Sequence, residues 1–242
     1  MKIVNSSIDI QSAINTYAEH ESVLIENFFI DEYVNALYDF FNYIPTSWWN
    51  VVSFPSFNNR DIEEHVRNTP DKSSQNKIAS NFSVSTDSFA KGYSSYHYLR
   101  SDIHQTGCGC FECDLKKNMS GEILNFVNIV TKENCTELID AYIIKYVEGC
   151  FVSPHRELAM GDISVRIEIT KDWSVEKGGL TSVLSKDKKE ILSTSLPKFN
   201  SITIHRGRED KSQMKFISPV TAKTLNSQYE YVAYYVKKNV NK

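Results

Sequence analysis

Apolar positions along this chain fall into two regimes. Up to about residue 137 they recur at helical spacing or sit in isolated runs. Beyond residue 138 they come as short β-branched bursts between turn signals. Residues 11–20 read as a short helix. Val23-Leu24-Ile25 leads into Asn27-Phe28-Phe29, a short strand by its apolar content. Asp31 then sits where a helix N-cap belongs. Val34, Leu37, Phe41 and Ile44 follow at helical spacing and predict an amphipathic helix over 32–44, stopped by Pro45. Residues 53–88 are rich in Ser, Asn, Asp and Pro, and the stretch 68–76 reads as a loop, either a mobile insertion near a site or plain surface. Ser120 is the expected cap of a second helix. Its buried stripe would be Ile123, Leu124, Val127 and Val130, widened by Phe126 and Ile129.

The later bursts lie at 141–147, 163–170, 180–184, 190–195, 201–205, 214–217 and 229–236. Turn signals separate them at Gly149, Gly161, Gly178-Gly179, 186–189, Pro197 and Gly207. About seven strands with no helices between them predict an antiparallel sandwich or barrel. The chain therefore reads as α+β: helices first, then an all-β half, around one shared core.

Composition adds exclusions. The chain has 242 residues and a net charge of -3, with 30 acidic residues against 27 Lys and Arg. That balance argues against nucleic acid as the main partner. Thirteen Tyr and 13 Phe against nine Gly suggest a large core or lined pocket rather than phosphate-cradling loops. The first ten residues lack the apolar run of a secretory signal, and no stretch approaches the ~20 apolar residues of a membrane span. The expected compartment is therefore the cytoplasm, with reduced thiols or a metal site for the five cysteines.

Three groups of residues carry candidate chemistry. His155 and Glu157 stand at i and i+2 on one extended segment, so both point the same way. An imidazole and a carboxylate so placed can share a metal ion, and a third ligand from a later strand would complete the facial triad of a non-haem Fe(II) oxygenase. His104, Cys108, Cys110 and Cys113 supply one imidazole and three thiolates, the ligand set of a structural zinc site; free thiols in a packed loop are the other reading. Cys135 and Cys150 read as core cysteines. Trp48, Trp49, Tyr93, Tyr96 and Tyr98 could line a barrel mouth or fill the core between helices and barrel.

The order of motifs resembles one family. Tyr146-Val-Glu-Gly149, followed by Pro154-His155-Arg-Glu157, resembles the Tyr-x-x-Gly and Pro-His-x-Asp segment of the prolyl-hydroxylase-like Fe(II)/2-oxoglutarate dioxygenases. Trp173 with Gly178-Gly179 resembles that family's Trp and Gly-Gly hairpin. Pro197-Lys-Phe199-Asn200 and Met214-Lys215-Phe216-Ile-Ser-Pro219-Val220 resemble two of its later strands. Asn27-Phe-Phe-Ile-Asp31 is similar to its usual opening, and the 104–113 cluster to a cysteine cluster in a bacterial branch. The likeness spans most of residues 23–236.

This resemblance implies a double-stranded β-helix, a jelly-roll or cupin-like barrel backed by N-terminal helices. It implies a single domain, with 1–137 as helical and mixed support and 138–238 as the barrel core. It further implies a 2-oxoglutarate-dependent oxygenase acting on an amino-acid, peptide or natural-product substrate, with His155 and Glu157 holding Fe(II) and Tyr146 lining the cosubstrate pocket. Two positions depart from the pattern. The family's third iron ligand, a His, falls at Lys215. The cation that grips the distal carboxylate of 2-oxoglutarate falls in 226–231, where this chain has none. His205 could substitute as third ligand or stay a rim histidine. Arg166, with Ser164, Glu168 and Thr170 on one face of its strand, could bind a carboxylate if that face lines the barrel, or be solvated. Lys215 could pair with Glu157 or Glu168. Arg206 and Arg208 read as rim charges. The alternative function is a catalytically inactive barrel that binds a ligand or partner protein.

Overall fold

The computed structural model describes residues 2–55, 63–101, 109–156, 161–185, 187–207, 214–221, 223 and 227–237. Five α-helices and twelve strands alternate along it. Helix α1 (Ile10–His20) leads through β1 (Ser22–Glu26) to α2 (Asp31–Tyr43). Strands β2 (Asn50–Pro55) and β3 (Glu64–Arg67) precede α3 (Lys72–Ala90) and β4 (Ser95–Ser101). Helices α4 (Phe111–Asn118) and α5 (Leu124–Thr131) are joined by a π turn over Met119–Ile123. The remainder is strand: β5 (Cys135–Tyr146), β6 (Phe151–Arg156), β7 (Ile163–Glu168), β8 (Thr181–Leu184), β9 (Ile191–Ser195), β10 (Ser201–Arg206), β11 (Met214–Ile217) and β12 (Gln228–Lys237).

All strands join one curled antiparallel sheet in the order β1-β10-β7-β12-β5-β4-β6-β11-β8-β9, with β2 and β3 added beside β4. Strand β4 turns the corner, pairing with β5 through Leu99–Ser101 and with β6 through Tyr96 and His97. The curl encloses a polar cavity and turns an apolar outer face to the helices. Period-two alternation sorts the residues between the two. On β7, Val165 and Ile167 are fully buried in the core that the helices share, while Arg166 and Glu168 face the cavity. On β10, Ile202 and Ile204 join the core and Ser201, Thr203 and His205 line the cavity. The core runs from Ile3 to Tyr235 as one cluster, with Phe28 centred between Phe29 at 4.8 Å and Phe126 at 5.2 Å.

Strands expected after residue 138 are all present, and β1 adds to them by pairing with β10. Helix α2 starts at Asp31 itself, which lies in the first turn as a favourable acid rather than as a cap. Two expectations fail. The stretch 68–76 is not all loop: from Lys72 it is the first turns of the 19-residue α3. Asp71 caps α3, its Oδ1 accepting the Ser74 N–H at 2.9 Å. That helix buries only Asn81, Ser85 and Ser88, small polar residues whose periodicity gives no apolar signal. Ser120 does not cap a helix either. It sits inside the π turn of one continuous helical run, its hydroxyl donating to the Lys116 carbonyl at 3.2 Å. The stripe Ile123, Leu124, Val127 and Val130 is buried with Phe126, but Ile129 is half-exposed.

Candidate functional site in the barrel cavity

A cavity of about 260 Å³ opens inside the curl. Strand β6 brings His155 to it, β11 brings Lys215, β10 brings His205 and Thr203, β7 brings Arg166 and Glu168, and β12 brings Glu230. Register fixes these neighbours. Lys215 is the direct cross-strand partner of His155. Glu168 is flanked by Ser201 of β10 and Glu230 of β12. The Lys/His group and the Glu pair thus stand at opposite ends, with Arg166 and Thr203, themselves paired, between them.

At the first end, Lys215 Nζ lies 2.8 Å from His205 Nε2, and His205 Nδ1 lies 2.7 Å from Ser22 Oγ. An ammonium can only donate, so Nε2 accepts from it. The ring proton then sits on Nδ1 and is donated to Ser22. His155 is oriented differently. Its Nδ1 lies 3.0 Å from the Ser153 carbonyl oxygen, which can only accept. That bond places the proton on Nδ1 and makes Nε2 the acceptor nitrogen, the arrangement that second-shell carbonyls impose on metal-binding imidazoles.

At the other end, Arg166 Nη1 donates to Glu230 Oε1 at 2.7 Å. The Glu230 side chain is 4% exposed. Glu168 Oε2 is sealed from solvent and has no hydrogen-bond partner. Burial, and then the neighbouring Glu230 charge, push the Glu168 carboxyl well above the usual carboxylate range, against the opposing pull of Arg166. Tyr146 is 1% exposed and is not among the residues lining the cavity; burial holds its phenol well above the ordinary tyrosine value.

The polar face of β7 is therefore not solvated: Arg166 and Glu168 line the barrel, and Arg166 is held by an acid. Glu230 is the cavity residue that sequence reasoning missed. Its signal was available, because an acid inside the apolar run 229–236 is buried either beside a cation or as the neutral carboxyl. Ser22 and Thr203 gave no such signal. Arg206 is a rim cation, paired with Glu21 at 2.7 Å and Glu133 at 2.6 Å. Of the candidate ligands, Glu157, His104 and Cys108 lie outside the described residues, as does Arg208. Cys110 precedes α4 and Cys113 lies within it, both half-buried. Among the described residues no group of three His, Cys, Asp or Glu side chains is placed to hold a metal ion. Cys135 and Cys150 are buried, and burial pushes their thiols up to about 11 and about 12. Trp49 is core, under Tyr229, while Trp48 and Tyr93 are exposed. Tyr96 and Tyr98 pack against the core and not into the cavity. Among the described residues no helix is long and apolar enough to cross a membrane.

The sequence itself matches no family model and no curated protein. The fold does match solved structures. A prolyl hydroxylase from Trichoplax adhaerens, solved with a peptide fragment of the hypoxia inducible factor oxygen degradation domain, is 12% identical with a TM-score of 0.60, over 93% of this chain and 88% of that one. A 2OG-Fe(II) oxygenase family oxidoreductase from Burkholderia pseudomallei is 11% identical with a TM-score of 0.57, over 95% and 92%. A Pseudomonas putida prolyl-4-hydroxylase is 10% identical with a TM-score of 0.55, over 95% and 100%. The chain thus has the double-stranded β-helix fold of the prolyl-hydroxylase-like 2-oxoglutarate oxygenases.

Proposed function

We propose that this chain is an oxygenase-fold barrel turned into a small-molecule binding protein, without iron-dependent turnover. The observation that carries the reading is the Lys215–His205 bond. The ammonium stands beside His155, where the resemblance calls for the third metal ligand, and engages Nε2 of His205, the other cavity histidine among the described residues. A fixed positive charge at that point opposes a divalent cation. The cosubstrate fits no better. Arg166 is the cavity's candidate carboxylate-binding cation, and Glu230 holds its guanidinium while Glu168 stands alongside. At that end of the cavity a dianionic 2-oxoglutarate would meet two acids for the one cation Arg166.

The residues therefore do not fit the iron and 2-oxoglutarate that the fold family uses. What they can do is bind. The cavity offers hydroxyls from Ser22, Thr181, Ser195, Ser201 and Thr203, together with charged groups of both signs. Cavities of a few hundred Å³ lined by a few fixed polar groups suit small ligands.

A second reading keeps oxygenase activity with a changed ligand set, favoured by the orientation of His155 Nε2. One experiment separates the two. Anaerobic titration of the full chain with Fe(II) and 2-oxoglutarate is expected to give no metal-to-ligand charge-transfer band. The Lys215→His variant is expected to gain Co(II) binding, read from its d–d absorption, by at least tenfold over the parent. A charge-transfer band in the parent protein would overturn the binding-protein reading in favour of the oxygenase.

A further inference from the structure

The two ends of the cavity differ in charge, and the acidic end has an unmet demand. Glu168 and Glu230 are direct cross-strand neighbours, and one guanidinium serves them both. Arg166 bonds Glu230, while Glu168 keeps a sealed oxygen without a hydrogen-bond partner. Like charges paired across a sheet are unfavourable, and a sealed carboxyl oxygen without a donor adds to the cost, although Thr170 hydrogen-bonds the same carboxyl. Once Glu168 is ionised, the arrangement is short by one positive charge and one set of donors. A divalent ion would overshoot that deficit beside Arg166. An ammonium group matches it, with one charge and three N–H donors.

We propose that the Glu168–Glu230 end of the barrel cavity binds the ammonium group of a small organic amine. The inference deepens the reading of the barrel as a ligand-binding pocket and rests on it. It also gives the missing carboxylate-gripping cation a meaning, since Glu230 reverses the charge of that region and selects amines against dicarboxylates. The raised Glu168 carboxyl adds a coupling. An incoming ammonium favours the ionised acid, so binding releases a proton and tightens as pH rises. The other titratable groups facing Glu168 are Glu230 from β12, Arg166 from its own strand and the Tyr146 phenol from β5. Lys198 lines the same cavity and is paired with Glu26, and β10 contributes only the hydroxyls of Ser201 and Thr203 beside it.

Two probes of equal chain length and opposite charge test this: 1,5-diaminopentane and glutarate, titrated calorimetrically into the full chain. The diamine is expected to bind at least tenfold more tightly than glutarate. Its affinity should rise with pH, up to about tenfold per unit while Glu168 is protonated in the free protein. The same titration in two buffers of different ionisation enthalpy should show proton release. Glu168→Gln keeps the side-chain shape and is expected to weaken diamine binding at least tenfold and abolish the release. Glutarate binding as tightly as the diamine, no diamine binding, or unchanged binding in a folded Glu168→Gln protein each overturns the proposal. The proton-release measurement needs no variant and stands if that variant fails to fold. Diamine binding alongside a charge-transfer band with Fe(II) would overturn the binding-protein reading and leave the amine site intact. Absence of both would sink the amine site alone.

Discussion

Single side chains in this protein take their properties from where the sheet puts them. His97 is the clearest case outside the cavity. It is 7% exposed on β4, with Ser53 Oγ at 2.8 Å from Nδ1 and the Phe82 ring at 5.0 Å. Burial pushes its imidazole down to about 4 from the ordinary 6.5. The folded state therefore resists a proton that the unfolded chain accepts. Stability from this residue is full above about pH 6.5 and is lost as pH falls from there toward 4. By urea denaturation, the stability of the parent relative to His97→Gln should fall by on the order of 2 kcal/mol between pH 7.5 and pH 4.5. A difference between parent and variant that does not change with pH would contradict the buried neutral imidazole. In the sequence, His97 is one histidine among six, with nothing to mark it.

At the scale of elements, the turn into β8 shows how a short motif fixes two strands. Gly178 has φ 69°, and a Cβ there would come within 2.1 Å of the Pro219 carbonyl oxygen that follows β11. The same glycine bridges to Val220, and its own carbonyl accepts the Trp173 indole N–H at 2.8 Å. Backbone freedom, close approach and an indole donor thus meet at one residue. Gly178→Ala combines positive-φ strain with a backbone clash and is expected to cost about 2 kcal/mol or more. Chemical denaturation should show that loss. A neutral result would mean the β8 turn relaxes freely. This Trp and Gly-Gly pattern was legible in the sequence because each residue type has a narrow geometric use. Helix α3 was not, because its buried positions are Asn and Ser, which read as loop until β2 and β4 are there to receive them.

Across the whole molecule, the barrel's interior polarity depends on one ion pair joining two strands that lie far apart in sequence. Arg166 and Glu230 are 64 positions apart and meet only because β7 and β12 pair. Removing the guanidinium leaves Glu230 and Glu168 facing each other without a cation. Arg166→Ala is therefore expected to destabilise the fold by about 3 kcal/mol at neutral pH. Without the pull of Arg166 the Glu168 carboxyl would take up a proton more readily, so the loss should shrink as pH falls toward 5. Thermal melts of parent and variant at pH 7.5 and pH 5 test both points. Equal melting temperatures at neutral pH would show that the pair contributes nothing to the barrel.

The sequence by itself determined the β-rich second half, the alternation that puts Val165 and Ile167 on one face of their strand and Arg166 and Glu168 on the other, and the motif order of an oxygenase barrel. These depend on local periodicity and on residues such as Gly178 and Trp173 with few geometric options. It also named Lys215 as the departure from that pattern. Only the tertiary structure decided what the departure does. Lys215 lies ten positions from His205, and Arg166 lies far from Glu230. Whether such residues bind a metal or each other depends on strand register and on which way the sheet curls, and no local pattern encodes either.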